Sequence, residues 1–211
     1  MASCKTLVFG GGEIHDWKGI QPKVIDILSE CDDMEVTVAQ EDLSVLEDDN
    51  IEPYDVLVFH YTVGAITNVQ RNGLSNWLAS GKGYVGIHSA ADSFHDDPDY
   101  RNLVGGYFIT HPRYREYQVN VKDTEHPITQ GLDDEFMVTD EQYILDYDSR
   151  VHVLASALWR GEAMPVAWTK SHGKGRVFYL ALGHDVKACE HPAFQKLLRQ
   201  GTQWAAANDE P

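Results

Sequence analysis

Four histidines stand where short apolar runs of the sequence end. Phe9 leads through Gly10-Gly11-Gly12 to His15, Phe59 runs directly into His60, Ile87 into His88, and Leu182 reaches His184 across Gly183. In open α/β sheets, ligands bind just outside the carboxyl ends of the strands. Imidazoles at four such places can therefore share one crevice. Imidazole is the usual acid–base group near neutrality and a common metal ligand. Two chemistries follow. His15, His60, His88 and His184, helped by a carboxylate, would hold zinc or a similar divalent ion and leave a position for water or a sugar oxygen. Alternatively, His88 and His184 act directly as base and acid, oriented by Glu141 or Asp185. The chain has no His-x-x-x-His or other local ligand spacing, so either centre has to be assembled from distant segments.

Sharper motifs fail. Gly10-Gly11-Gly12-Glu13-Ile14-His15 follows an apolar run, yet His15 stands where the dinucleotide fingerprint needs its third glycine. No Gly-Lys-Ser/Thr follows to make a P-loop, and no nucleotide cofactor is expected. A nucleophile elbow needs serine two residues after glycine. Here that place is His88, and Ser89 comes one step late, which leaves a Ser89-dependent hydrolase as a minor alternative. The aromatics Trp17, Tyr61, Tyr107 and Tyr143, with Asp16, Asp92 and Asp140 nearby, would suit a carbohydrate.

The elements that must position these residues follow from periodicity. Leu7-Val8-Phe9, Met34 to Ala39, Val56 to Phe59 and Tyr84 to Ile87 read as strands. Helical spacing separates them, with Pro22 placed in the first turn of one helix and Val69, Leu74, Trp77 and Leu78 facing inward from another. Glu41 to Asp49 reads as an acidic surface loop. Such alternation predicts a mainly parallel sheet with helices on both faces. Beyond Asp92 come a short helix and turn over 100–108, a strand over 116–121 and a mixed segment over 138–147. Strands at 151–157 and 165–169 precede a hairpin through Ser171-His172-Gly173-Lys174-Gly175 into 176–182. A closing helix over 191–207 buries Phe194, Leu197, Leu198 and Trp204.

With 211 residues and no linker or repeat, one domain over 1–211 is expected. The formal charge of −16 disfavours nucleic acid, which needs clustered Lys and Arg, and disfavours an anionic membrane surface. No run approaches the roughly 18 apolar residues of a membrane span, and the first residues run straight into a strand without the layout of a signal peptide. A cytoplasmic location follows, with Cys4, Cys31 and Cys189 as reduced thiols, since no pair has metal or redox spacing. A homo-oligomer stays open.

Five blocks carry a resemblance: Gly-Glu-Ile-His-Asp-Trp at 12–17, Gly-Ile-His-Ser-Ala-Ala at 86–91, Gly-Gly-Tyr-Phe-Ile-Thr-His-Pro at 105–112, Asp-Glu-Gln-Tyr at 140–143 and Ala-Leu-Gly-His-Asp at 181–185. Together they resemble the trehalose-utilisation, ThuA-like family, over about Lys5 to Ala207. The resemblance implies a class I glutamine amidotransferase-like fold, a flavodoxin-like three-layer α/β sandwich. True amidotransferases carry a cysteine at the elbow. His88 stands there in this chain, so glutamine hydrolysis by a thiol is not expected. The family implies catabolism of a disaccharide or glucoside, including 3-keto sugars, and its motifs carry over to His15, His88, His111, Glu141 and His184. His60 rests on the strand-end argument alone. Trp17, Asp92 and His111 are the residues expected to bind substrate; His88, Glu141 and His184 are those expected to be catalytic. In a 3-keto glucoside the ketone acidifies the neighbouring C–H. His88 or Glu141 would take that proton, while a metal or His184 stabilises the enolate oxygen. The alternative is a non-catalytic sugar-binding or assembly module. Either active reading requires His88 and His184 to lie within about 12 Å of each other, the reach of one small ligand.

Overall fold

In the computed structural model, which describes residues 3–207, the short apolar runs become neighbouring strands. Residues 1–2 and 208–211 of the expected domain lie outside that range. In chain order the elements are β1 (Cys4–Gly10), α1 (Trp17–Ser29), β2 (Met34–Gln40), a 3-10 turn (Leu43–Leu46), α2 (Asp48–Ile51), β3 (Val56–His60), α3 (Asn68–Ala79) and β4 (Gly83–Ile87). A second 3-10 turn (His88–Asp92), α4 (Pro98–Val104), β5 (Gly106–Thr110), β6 (Arg115–Val121), β7 (Glu135–Asp140) and β8 (Ile144–Tyr147) follow. The chain closes with β9 (His152–Trp159), β10 (Glu162–His172), β11 (Gly175–Leu180), α5 (Val186–Cys189) and α6 (Pro192–Ala206).

Among the described residues, the main sheet has the order β2-β1-β3-β4-β11-β10-β9-β6-β7, and β5 and β8 pair apart from it. The pairs from β2 across to β11 are parallel; those from β11 across to β7 are antiparallel. The sheet is therefore mixed: the expected parallel pairing holds for one half, and hairpins supply the other. The register sets the site. Gly10 lies opposite His60, Phe59 opposite Gly86 and Ile87 opposite Leu180. Four strands thus end along one edge. The chain passes from β1 to β2 on one side and then to β3 on the other, the topological switch at which crevices open.

Alternation along the strands divides the core in two. Val8, Val58, Val85 and Phe178 pack with α1 and α6 through Val24, Leu28, Phe194 and Leu198. Phe9, Leu57, Tyr84 and Tyr179 pack with α3 and α4 through Leu74, Trp77, Tyr100 and Leu103. Helices therefore cover both faces. The side chain of Asp16 accepts from the Gly19 N–H and starts α1 at Trp17, so Pro22 lies inside the helix and not in its first turn as expected. Thr67 and Gln70 close a capping box on α3. Its buried stripe begins at Gly73, which leaves Val69 62% exposed, against expectation. The acidic stretch before β3 is no loop: fully buried Leu46 and Ile51 draw it onto the core as a 3-10 turn and a short helix. Trp204 is only half-buried, with the Arg176 guanidinium 5.3 Å above its ring. All three cysteines are free. No described helix is long and apolar enough to cross a membrane.

Leu57 is fully buried in β3, between β1 and β4. Leu57→Ala should lower unfolding free energy by about 2–5 kcal/mol, as buried Leu-to-Ala changes do, in urea unfolding followed by circular dichroism. A loss below about 1 kcal/mol would place that side chain outside the core.

Candidate metal centre

His88 follows the last residue of β4 with φ at +43°, in the left-handed region that non-glycine residues enter at a cost of about 1–3 kcal/mol. Two hydrogen bonds hold it there. Its ring Nδ1 donates to the Ala181 carbonyl at 2.7 Å, and the Tyr179 hydroxyl donates to the His88 carbonyl at 2.7 Å. A carbonyl only accepts, so Nδ1 carries a proton and Nε2 is the nitrogen turned toward the other residues of the group. Nε2 lies 3.3 Å from Nδ1 of His184 and 3.5 Å from Oε2 of Glu141. Imidazole giving one N–H to a carbonyl and presenting the other nitrogen is the usual posture of a metal ligand. The Tyr143 ring, 3.9 Å away between centroids, covers one side of His88.

The loop after β1 brings His15 in. Gly12 has φ at +92°, and a Cβ there would fall 2.4 Å from the Thr62 backbone. This close approach seats the loop on Thr62, whose hydroxyl meets Nδ1 of His15 at 2.8 Å. Nε2 is then the nitrogen left for the centre, with the Tyr143 hydroxyl 3.5 Å from it. The His15 ring lies 5.0 Å from those of both His88 and His184. Burial, reinforced by the positive charge that His88 and His184 can carry, pulls the His15 pKa down to about 3. It is therefore neutral at pH 7, as a metal ligand must be.

Glu141 joins from the end of β7. Oε2 lies 3.1 Å from Nδ1 of His184, and Oε1 lies 2.9 Å from Nδ1 of His111. Burial pushes its carboxyl up, but the hydrogen bonds of His184 and His88 outweigh that and hold it below the usual carboxylate range. Its hydrogen bond to Glu141 raises the His184 pKa against the effect of burial. One ligand atom from each of His15, His88, Glu141 and His184 lies within 4.8 Å of every other. Three imidazoles and a carboxylate oxygen form a donor set suited to zinc or a similar divalent ion.

Of the residues expected at this centre, His60 falls outside the group. It sits on the same face as Val56 and Val58 by strand alternation, fully buried, with Nε2 on the Ser89 hydroxyl at 3.3 Å. Burial holds it neutral, well below the ordinary histidine range. Trp17, expected to face a substrate, is 6% exposed, and its ring packs against Gly10. Asp185 orients no histidine; it caps α5 through the Ala188 N–H at 2.7 Å. Asp92 is buried beside His88 and turns its carboxylate to His95 at 2.6 Å. His111 is half-exposed at the edge of the group. Among the other aromatics, Tyr61 packs over Gly11 and Gly64, and Arg101 stacks on Tyr107 at 4.2 Å. Thr62 and Ala181, which orient His15 and His88, carried no sequence signal, because neither side-chain type nor spacing marks a supporting carbonyl or hydroxyl. A cavity of about 560 Å³ lies elsewhere, lined by Arg150, His152, Lys170 and His172. Its cationic groups are already paired with Asp148, Asp123, the Asn102 carbonyl and Ser75.

A sequence profile described as trehalose utilisation, ThuA, matches residues 5–205. Among solved structures, a ThuA-like protein from Parabacteroides merdae superposes with a TM-score of 0.88 at 22% identity, covering 99% of this chain and 91% of its own. Another from Bacteroides uniformis gives 0.81 at 20% identity, with 97% and 92% covered. A β-galactosidase from Bacillus circulans sp. alkalophilus gives 0.63 at 14% identity, with 97% of this chain aligned to 31% of that one. At these identities the three share the fold. No curated protein sequence matches the chain.

Gly12→Ala should unseat the His15 loop, because the added methyl meets the Thr62 backbone and the left-handed φ disfavours alanine. A loss of at least about 1–3 kcal/mol in thermal unfolding is expected. Wild-type stability in this variant would contradict the loop geometry.

Proposed function

The chain belongs to the ThuA, trehalose-utilisation family, and on that premise we propose that it is a metal-assisted enzyme processing a disaccharide or glucoside, with 3-keto glucosides the best-suited substrates. The observation that carries this reading is the convergence of His15, His88, Glu141 and His184 to within 4.8 Å. The order β2-β1-β3-β4-β11 of the parallel half supports a flavodoxin-like, class I glutamine amidotransferase-like sandwich with its site at the strand ends. His88 occupies the elbow in a strained backbone, where an amidotransferase would place its thiol.

When bound, a divalent ion would supply positive charge for a sugar oxygen that becomes anionic during reaction. His15, His88 and His184 would hold it with neutral nitrogens and Glu141 with an ionised oxygen. A carboxylate held this far toward its ionised form is a poor base, and His88 is fully buried. Proton transfer therefore falls to the accessible imidazole, His111. Its Nδ1 lies 2.8 Å from the Pro112 carbonyl and 2.9 Å from Oε1 of Glu141, which leaves Nε2 to take the proton from the carbon beside the ketone. Removing that proton leaves electrons delocalised onto the ketone oxygen, the group the centre is charged to receive.

Two other readings are weaker. Ser89 is fully buried, and among the described residues its partner His60 has no group on Nδ1 to orient it, so a serine nucleophile lacks both access and a triad. A binding or assembly module is favoured only by the β-galactosidase comparison, in which this fold spans 31% of the chain.

Elemental analysis of purified protein should find one transition metal per chain, removed by chelator together with turnover of a 3-keto glucoside. His88→Ala should lose the metal. His111→Ala should keep it while kcat falls by about 10²–10⁴, the usual worth of a general base. Full turnover after complete metal removal would overturn the metal reading, and unchanged kcat in His111→Ala would overturn the assignment of the base. Stoichiometric metal with no turnover of any sugar tried would favour the binding module.

A further inference from the structure

We propose that Asp140 is the positioning residue of the centre, a buried carboxylate that fixes Glu141 and His184 relative to each other through their backbones. The inference rests on the metal reading above and deepens it. Asp140 ends β7 and is 1% exposed. Its Oδ1 accepts from the N–H of Glu141 at 2.7 Å and from the N–H of His184 at 3.2 Å, while Oδ2 accepts from the N–H of Gly183 at 2.8 Å. One carboxylate thus ties its own segment to Gly183 and His184, 43 and 44 residues further along the chain. Each segment delivers one member of the group of four.

This place calls for acceptors, and a carboxylate supplies them on both oxygens, with about four acceptor directions against three inward-pointing N–H groups. Asparagine would present its own N–H₂ to at least one of them. Gly183 is shaped for the arrangement: its φ is +102°, and a Cβ would fall 2.7 Å from the Phe194 ring, so the turn that aims its N–H at Asp140 requires glycine.

The test is Co²⁺ titration of the chelator-treated protein, read from its visible absorption, for wild type, Asp140→Asn and Asp140→Ala. Amide hydrogen exchange of the metal-free proteins accompanies it. Asp140→Asn should bind Co²⁺ about 10–100-fold more weakly with a shifted band, as loss of an outer-shell partner does, and Asp140→Ala more weakly still. Both should lose amide protection at 141 and 183–184 while the helices stay protected. Binding by Asp140→Asn within about threefold of wild type, with the same band and unchanged protection, would overturn the proposal. If wild type takes up no Co²⁺, the metal reading fails by itself and exchange alone decides the positioning role: local loss of protection supports it, unchanged protection overturns it. Should both variants fail to fold, wild type still decides: fast exchange at Glu141, Gly183 and His184 overturns the proposal and slow exchange supports it.

Discussion

The hydrogen bond from His88 to the Ala181 carbonyl is the contact on which the centre depends. It spans 2.7 Å between the residue after β4 and the residue after β11, locking two adjacent strand ends together. It also places a proton on one nitrogen and turns the other toward His184 and Glu141 at the shared edge. The strained backbone at His88 persists because this bond and the one from Tyr179 over-determine it.

The remaining parts are consequences of the sheet. Parallel pairing in register places the ends of β1, β3, β4 and β11 along one edge, at the point where the connections switch sides. The antiparallel half then contributes what the parallel half lacks: β7 ends beside the histidines and brings the carboxylate of Glu141 to them. Each of the four residues arrives on a separate segment, so the group can form only after the tertiary fold is complete. The buried core beneath, Phe9 and Phe59 on one face and Val58 and Phe178 on the other, is therefore a condition of the chemistry as well as of stability.

The parallel half was legible because apolar runs bounded by glycines give strands directly, and a polar residue after each run marks its carboxyl end. His15, His88 and His184 followed from that rule alone. The same rule also offered His60, which lies outside the group of four. It locates the end of a strand but not the face on which the side chain lies, and His60 continues the inward face of Val56 and Val58. His111 came only from the motif resemblance, and Glu141 was offered only beside Asp185 as an orienting carboxylate, since both follow strands of mixed pattern, where periodicity does not reveal which end meets the histidines. Trp17 shows the opposite error: an aromatic beside a candidate site reads as a sugar platform, yet its ring fills the space that Gly10 leaves. Helix boundaries failed where a cap outweighed a proline, as at Asp16 against Pro22. The support given by Thr62 and Ala181 depends on tertiary contacts that leave no trace in spacing.

Anomalous X-ray diffraction from crystals of the purified protein, measured on both sides of the absorption edge of the metal it retains, addresses the central claim most directly. The account predicts one peak about 2.0–2.2 Å from a nitrogen of each of His15, His88 and His184 and from an oxygen of Glu141. A peak at other residues, or none in fully active protein, would contradict it.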